Sequence, residues 1–379
     1  MEFKKLYLLL ISGLILLLAA CNHNAEETAP SEESAAETED TESEVAESEE
    51  EQEEEASSPE HIAYKNFFKI KSSTDEDDDD FTQIDNDVEL PKSSDQVVVF
   101  DLSAASTFAA LDLEGNITGI QKGEEGEHLN EELSDIYGSD DHVNVGTEDE
   151  IDYGAVEELD PEVIVIGEDE SYSAVIRQLE EAAPNAEIIS VDKDSTTYVE
   201  NIIEFTSFLG EMYGVEDHAE NLVDDLNTNL TELKERVLDL EKNLLYFEVN
   251  DEDLTIDETS GINDFLFSEV GFNRVLEPVS NENSQVEPNA DFGFSSISSL
   301  NPGIILALNT NGEKDIETVT EEILTNESLT NINAVINENV YVISEDNWDE
   351  ESAGYLDIMN QIEDLSGMLD SIEESNNDE

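Results

Sequence analysis

From Val97 onward, short apolar runs alternate with stretches whose apolar residues recur every three or four positions. Val97-Val98-Val99-Phe100 is continuous, the pattern of a parallel strand buried on both faces. A helix is expected over Ala104–Leu111, with Ser103 placed to cap it. Ile117–Ile120 predicts a second strand. Asp152–Leu159 then reads as a helix stopped by Asp160-Pro161, and Val163–Ile166 as a strand. A helix over Tyr172–Glu181 and a strand over Ala186–Val191 complete the series. Such alternation predicts an α/β fold with a mostly parallel sheet.

The same recipe returns at an offset of 141 residues. Val156, Leu159, Asp160-Pro161 and Ile164-Val165 match Ile297, Leu300, Asn301-Pro302 and Ile305-Leu306. A helix follows each strand, the second over Ile316–Leu324, and each unit closes on a strand ending in serine: Ile188-Ile189-Ser190 and Val342-Ile343-Ser344. Two similar α/β lobes are therefore expected. Between them, Ile202, Ile203, Phe205, Phe208, Leu209 and Met212 recur at helical spacing. Gly214 ends that helix, and a second runs from about Glu216 to Leu240. The boundaries predicted are a first lobe over 61–195, a linking helical region over 196–241, a second lobe over 242–370 and an acidic tail over 371–379.

The N-terminus follows a different logic. Lys4 and Lys5 precede an apolar stretch, Leu6–Leu18, too short to span a bilayer, and Leu18-Ala19-Ala20 leads into Cys21, the sole cysteine. Residues 1–20 are expected to be a signal peptide. Cys21 cannot form an internal disulfide and sits as in a bacterial lipobox, which predicts lipidation there and a membrane anchor. Residues 21–60 are an acidic tether of Glu, Ser, Thr and Ala, expected to be disordered and to span roughly 35 Å.

Charge changes the picture further. The 379 residues hold 99 acidic and 14 basic side chains, a net charge of −85. Residues 22–60 contribute 17 acids and no Lys or Arg, so residues 61–379 still carry 81 acids against 12 basic residues. Nucleic acid and anionic membrane surfaces are excluded as partners. Acids scattered over a fold with little lysine predict adaptation to concentrated salt. The run Asp75–Asp80 lacks the spaced ligands of a calcium loop and reads as solvated charge. His128 and His142, near Asp140 and Asp141, are weighed as metal ligands and set aside. The other histidines, His23, His61 and His218, leave the second lobe with none. No nucleophile elbow, phosphate loop or dinucleotide fingerprint occurs, so no enzyme is expected.

Several stretches in order carry a resemblance. They are Leu90-Pro91-Lys92 before Val97–Asp101, Asn144-Val145-Gly146, Leu159–Gly167, Ala182-Ala183-Pro184, Gly271-Phe272, Leu300-Asn301-Pro302 and Val340-Tyr341. Over roughly residues 90–368 the chain resembles the lipoprotein substrate-binding proteins of bacterial iron–siderophore ABC importers, of the catecholate/petrobactin-type branch. The resemblance implies two α/β lobes joined by a long linking helix, with an iron(III)–siderophore held in the cleft between them. It implies no cofactor, an ABC permease as partner and a monomer. It places ligand contacts at Leu102, Ser103, Lys122, Tyr172, Ser260 and Trp348. Of these, Lys122 competes with a surface-charge reading, and Trp348, flanked by Asn347 and Asp349, is expected on a polar loop rather than in the core. Arg177 and Arg274 are further candidate cations, although Arg177 also reads as a surface ion-pair partner of Glu180 and Glu181.

The chain departs from the family pattern in the cleft. Ile262 stands nearest a common arginine position, and Glu168-Asp169-Glu170 occupies the loop that often holds another arginine. The family docks on its permease through one glutamate per lobe; the aligned positions here are Gly154 and Ser295, with Glu150 and Asp291 as neighbouring substitutes. A surface lipoprotein of structural or adhesive role, or a binder of heme, cobalamin or a metal ion, is the alternative.

Overall fold

The computed structural model describes residues 61–377 except 73–80, 125, 148–149, 192–197, 252, 257–259, 276–291, 311–313 and 349–353. The signal peptide with Cys21, the tether, the Asp75–Asp80 run and Asp291 lie outside the described residues.

An antiparallel hairpin opens the described chain, β1 (His61–Lys71) against β2 (Phe81–Pro91), a part of the first lobe with no strand expected in it. Ile62, Tyr64, Asn66 and Phe68 alternate inward along β1. Five parallel strands follow: β3 (Val97–Val99), β4 (Ile117–Ile120), β5 (Val143–Asn144), β6 (Val163–Ile166) and β7 (Glu187–Ser190), in the order β5-β4-β3-β6-β7. Val97 and Val99 pack on one face with α1 (Leu102–Ala110) and α2 (Glu131–Tyr137). Val98 and Phe100 pack on the other with α3 (Tyr153–Leu159) and α4 (Ser173–Ala182). Burial on both faces is why the strand sequences are continuous apolar runs, each buried side chain contributing about 1.5–3 kcal/mol.

Two helices leave this lobe, α5 (Tyr198–Tyr213) and α6 (Glu216–Leu238), broken at Gly214, whose φ of 70° suits glycine. Phe205, Leu209 and Met212 of α5 pack in the first lobe, whereas Val199 and Ile202 reach the second. The long element is α6, about 34 Å by its 23 residues. Its Leu226, Leu230, Leu233 and Val237 belong to the second-lobe core.

The second lobe repeats the design. The hydrogen-bonded order is β10-β8-β11-β12, formed by β8 (Asn243–Asn250), β10 (Asn273–Arg274), β11 (Ile304–Asn309) and β12 (Val340–Ser344), all parallel. The short β9 (Asp253–Thr255) runs antiparallel beside β8. The helices are α7 (Gly261–Asp264), α8 (Phe294–Leu300), α9 (Ile316–Thr325), α10 (Asn333–Ile336) and α11 (Tyr355–Asn377). The 141-residue repeat is real in three dimensions. Asp160 and Asn301 end α3 and α8 in the left-handed conformation, at φ 46° and 48°. Proline next in sequence disfavours the right-handed helical region, and short polar side chains tolerate the left-handed one.

Two boundaries need correction. Asp101, not Ser103, caps α1: its carboxylate accepts from Ala104 N at 3.1 Å, and the Ser103 hydroxyl donates to it from within the helix. Residues 371–377 of the expected acidic tail are instead the last part of α11. There Arg236 bonds Asp370 at 2.7 Å and Glu373 at 3.0 Å, and Ile372 is fully buried. The start of α11 lies against the first lobe, where Leu356 N donates to the Ser106 hydroxyl at 3.1 Å. A Cβ at Gly354 would fall 2.0 Å from the Ser103 carbonyl, so only glycine permits this approach.

Candidate functional site

A cavity of about 490 Å³ lies where the carboxyl ends of the two parallel sheets face each other. Parallel strands leave side chains and helix N-termini converging at that end, and open α/β sheets bind ligands there. Phe100 and Asp101 enter after β3, Gln121 after β4, Gly167–Glu170 after β6 and Val191 after β7. The second lobe supplies Glu248 from β8, Leu308 from β11, Thr310 directly after it, and Glu345 after β12. Tyr198, Asn201, Ile202 and Phe205 of α5 form the wall at the linker.

The floor is built from fixed hydrogen bonds. Asp101 is buried by its capping role. Glu170, 4% exposed, accepts from Gly167 N at 3.1 Å and from the Gln121 amide at 3.5 Å. Burial, reinforced by the neighbouring charge of Asp169, pushes its carboxyl up to about 7, against the pull of those hydrogen bonds. The loop above it is held from the hairpin. Lys71 pairs with Glu168 at 2.7 Å, its ammonium lies 5.6 Å from the Tyr172 ring centre, and its backbone N–H donates to the Ser171 carbonyl at 2.8 Å.

The lining is strongly one-sided in charge. Asp101, Glu168, Asp169, Glu170, Glu248 and Glu345 contribute carboxylates, and His128 an imidazole; among the described lining residues none is lysine or arginine. Apolar surface comes from Leu102, Ile202, Phe205, Ile262, Leu308 and Trp348, and neutral polar groups from Ser103, Thr107, Gln121, Tyr198, Asn201 and Thr310. No cluster of three or more metal-ligating side chains occurs among the described residues.

A family model for periplasmic binding proteins matches residues 97–347. The chain belongs to the periplasmic binding protein family. Its members bind substrates for transport and are not enzymes. The petrobactin-binding protein YclQ of Bacillus subtilis is 24% identical over 277 residues, covering 73% of this chain and 83% of YclQ. Its crystal structure superposes with a TM-score of 0.63 at 22% identity, over 80% of this chain and 99% of that one. A TroA-like periplasmic binding protein from Xylanimonas cellulosilytica gives a TM-score of 0.66 at 22% identity, over 81% and 99%. The catecholate-siderophore binding protein VctP of Vibrio cholerae gives 0.61 at 18%, over 79% and 99%. These likenesses extend the periplasmic-binding-protein fold beyond the matched segment.

Within that fold the expected site residues divide. Leu102 and Ser103 line the cleft, and Ser260 is buried as the cap of α7, directly before the lining residues Gly261 and Ile262. Trp348 lines the cleft as well, but the polar-loop expectation is corrected: it is 1% exposed, packed in the second-lobe core, with its indole N–H donating to Asp364 at 2.9 Å. Lys122 points elsewhere, its ammonium donating to the Ser139 carbonyl at 2.7 Å. Tyr172 stands at the start of α4 beneath Lys71, outside the lining. Arg274 covers the Phe267 ring at 3.8 Å, and Arg177 is exposed on α4. His128 lines the cleft, whereas His142 is a buried structural residue donating to the Ile117 carbonyl at 2.7 Å. Glu150 is exposed in a turn closed by Thr147. Glu170 was read in the sequence as part of the acidic cleft loop after Gly167, but Asp101, Gln121, Glu248 and Glu345 were not singled out; only their places in or just after strands could have marked them.

Proposed function

We propose that the protein captures an iron(III)–siderophore outside the cytoplasmic membrane and delivers it to an ABC import permease. The carrying observation is the cavity of about 490 Å³ between the carboxyl ends of two parallel sheets, a size that suits a small-molecule ligand. Membership of the periplasmic binding protein family supports reversible capture without chemistry. The printed specificities of YclQ and VctP, petrobactin and a catecholate siderophore, support a siderophore as cargo. In this reading lipidated Cys21 tethers the chain, Glu150 and Asp291 face the permease, one per lobe, and the protein works as a monomer. The dispersed acidic residues fit a life in concentrated salt.

The test is a titration of the protein with ferric siderophores, heme and cobalamin, followed by Trp348 fluorescence and by calorimetry in high salt. A saturable response to a ferric siderophore is expected. Silence across the panel by both methods sinks the proposal in favour of a structural or adhesive surface role. In the same preparation, Cys21→Ser is expected to release the chain from the membrane fraction; retention there removes the lipid tether.

A further inference from the structure

Helix α11 runs behind the cleft, and none of its described residues lines the cavity. Two of its polar side chains nevertheless end on aromatic residues that do. Gln361 is 1% exposed, on a helix whose Ile358, Ile362 and Leu365 belong to the second-lobe core. An amide is costly in such surroundings unless its hydrogen bonds are made. Its nitrogen donates to the Asn347 carbonyl at 2.8 Å and to the Tyr198 hydroxyl at 3.1 Å. A carbonyl only accepts, so the bond to Asn347 fixes which end of the amide faces it. Three residues further on, and so on the same face of the helix, Asp364 accepts from the Trp348 indole N–H at 2.9 Å. Phe265, fully buried, packs against both rings, its centre 5.9 Å from that of Tyr198 and 6.3 Å from that of Trp348.

The two rings come from different parts of the molecule. Tyr198 begins α5, the helix that packs in both lobes, and Trp348 follows β12 in the second. An apolar side chain of similar size at 361 would pack there with no amide to satisfy, so burial alone does not explain glutamine at this position. What the amide adds is direction. It ties the wall from the linker to the corner at Asn347 and Trp348, and Asp364 holds that corner at a second point. A wall already ordered before the ligand arrives spares the ordering cost that binding would otherwise carry. Resting on the siderophore reading above, we propose that Gln361 and Asp364 are positioning residues for ligand capture. Without lining the cavity, they hold Tyr198 and Trp348 at the spacing the cargo meets and so set the affinity of the cleft.

The experiment compares the full-length parent with Q361M, D364A and a control, L369A. Leu369 is a core residue of the same helix, 1% exposed and about two turns from Gln361. Its truncation leaves a cavity and is expected to lower the melting temperature at least as far as Q361M does. Affinity is read by calorimetry in high salt with ferric enterobactin, a tris-catecholate, and ferrioxamine B, a tris-hydroxamate. Against the probe that the parent binds, Q361M is expected to lose about tenfold and D364A about threefold, while L369A keeps the parental value. Acrylamide quenching of Trp348, the chain's sole tryptophan, is expected to rise in Q361M and D364A and to stay unchanged in L369A. Parental affinity in Q361M and D364A, or an equal loss in L369A, overturns the inference while leaving siderophore capture intact. Binding of neither probe, nor of any other ferric siderophore, by the parent removes that reading and the inference with it. Asp364 is exposed, so D364A decides the matter should Q361M fail to fold.

Discussion

Glu170 joins the chemistry of the floor to the stability of the fold. A buried carboxyl raised to about 7 binds a proton in the folded chain that it releases near its ordinary value of 4.5 when unfolded. Between those values the folded state holds more protons, so this group's effect on stability worsens as pH rises and is fully felt above 7. Glu170→Gln is therefore expected to match the parent near pH 5 and to exceed it at pH 8 by on the order of 2 kcal/mol, read as a difference in denaturant midpoints. A variant equally stable at both pH values would refute the assignment. Glu170 also marks the limit of what was legible: the sequence placed it in the acidic cleft loop after Gly167, but burial, which sets it apart from the exposed Glu168 and Asp169, is not written in its neighbours. Trp348 makes the converse point: polar residues beside it in sequence said loop, while its ring was taken up by the core packed around α11.

At the scale of elements, the hairpin β1–β2 covers what would otherwise be the open edge of the first sheet. Asn66 acts there as a substitute strand. Its amide donates to the Ile188 carbonyl at 2.9 Å and its oxygen accepts from Ser190 N at 3.2 Å, while the Tyr64 hydroxyl donates to the Ser190 carbonyl at 2.7 Å. Unpaired edges invite pairing with other chains, and a side-chain amide bonded to edge groups blunts this one. Asn66→Ala would leave a buried acceptor and donor of β7 unpaired, at about 1–3 kcal/mol. The expected readout is faster amide exchange at Ser190 together with a lower melting temperature; unchanged exchange there would separate the hairpin from the edge. The parallel strands and the Asp160-Pro161 and Asn301-Pro302 stops were legible because both-face burial and the proline restriction are local rules. The hairpin was not, because polar Asn66 stands in its inward row and apolar Phe67 in its outward one, which breaks the alternation.

Across the whole molecule, like charge opposes compactness, and dissolved salt screens it over about 3 Å at 1 M against about 10 Å at 0.1 M. The melting temperature is expected to rise by several degrees between about 0.1 M and 3 M NaCl, as self-repulsion is screened. A melting temperature unchanged over that range would count against salt adaptation. By itself the sequence determined the α/β class, the two repeated lobes, the break at Gly214 and the excess of negative charge. Each of these rests on periodicity, backbone restriction or counting. Only the tertiary structure decided which acids line the cleft, that Lys71 joins Glu168 across 97 positions, that Lys122 turns away to Ser139, and that residues up to 377 form a helix pinned by Arg236. Those facts depend on which surfaces meet when strands far apart in sequence lie side by side. A pattern of nearest neighbours carries no record of that meeting.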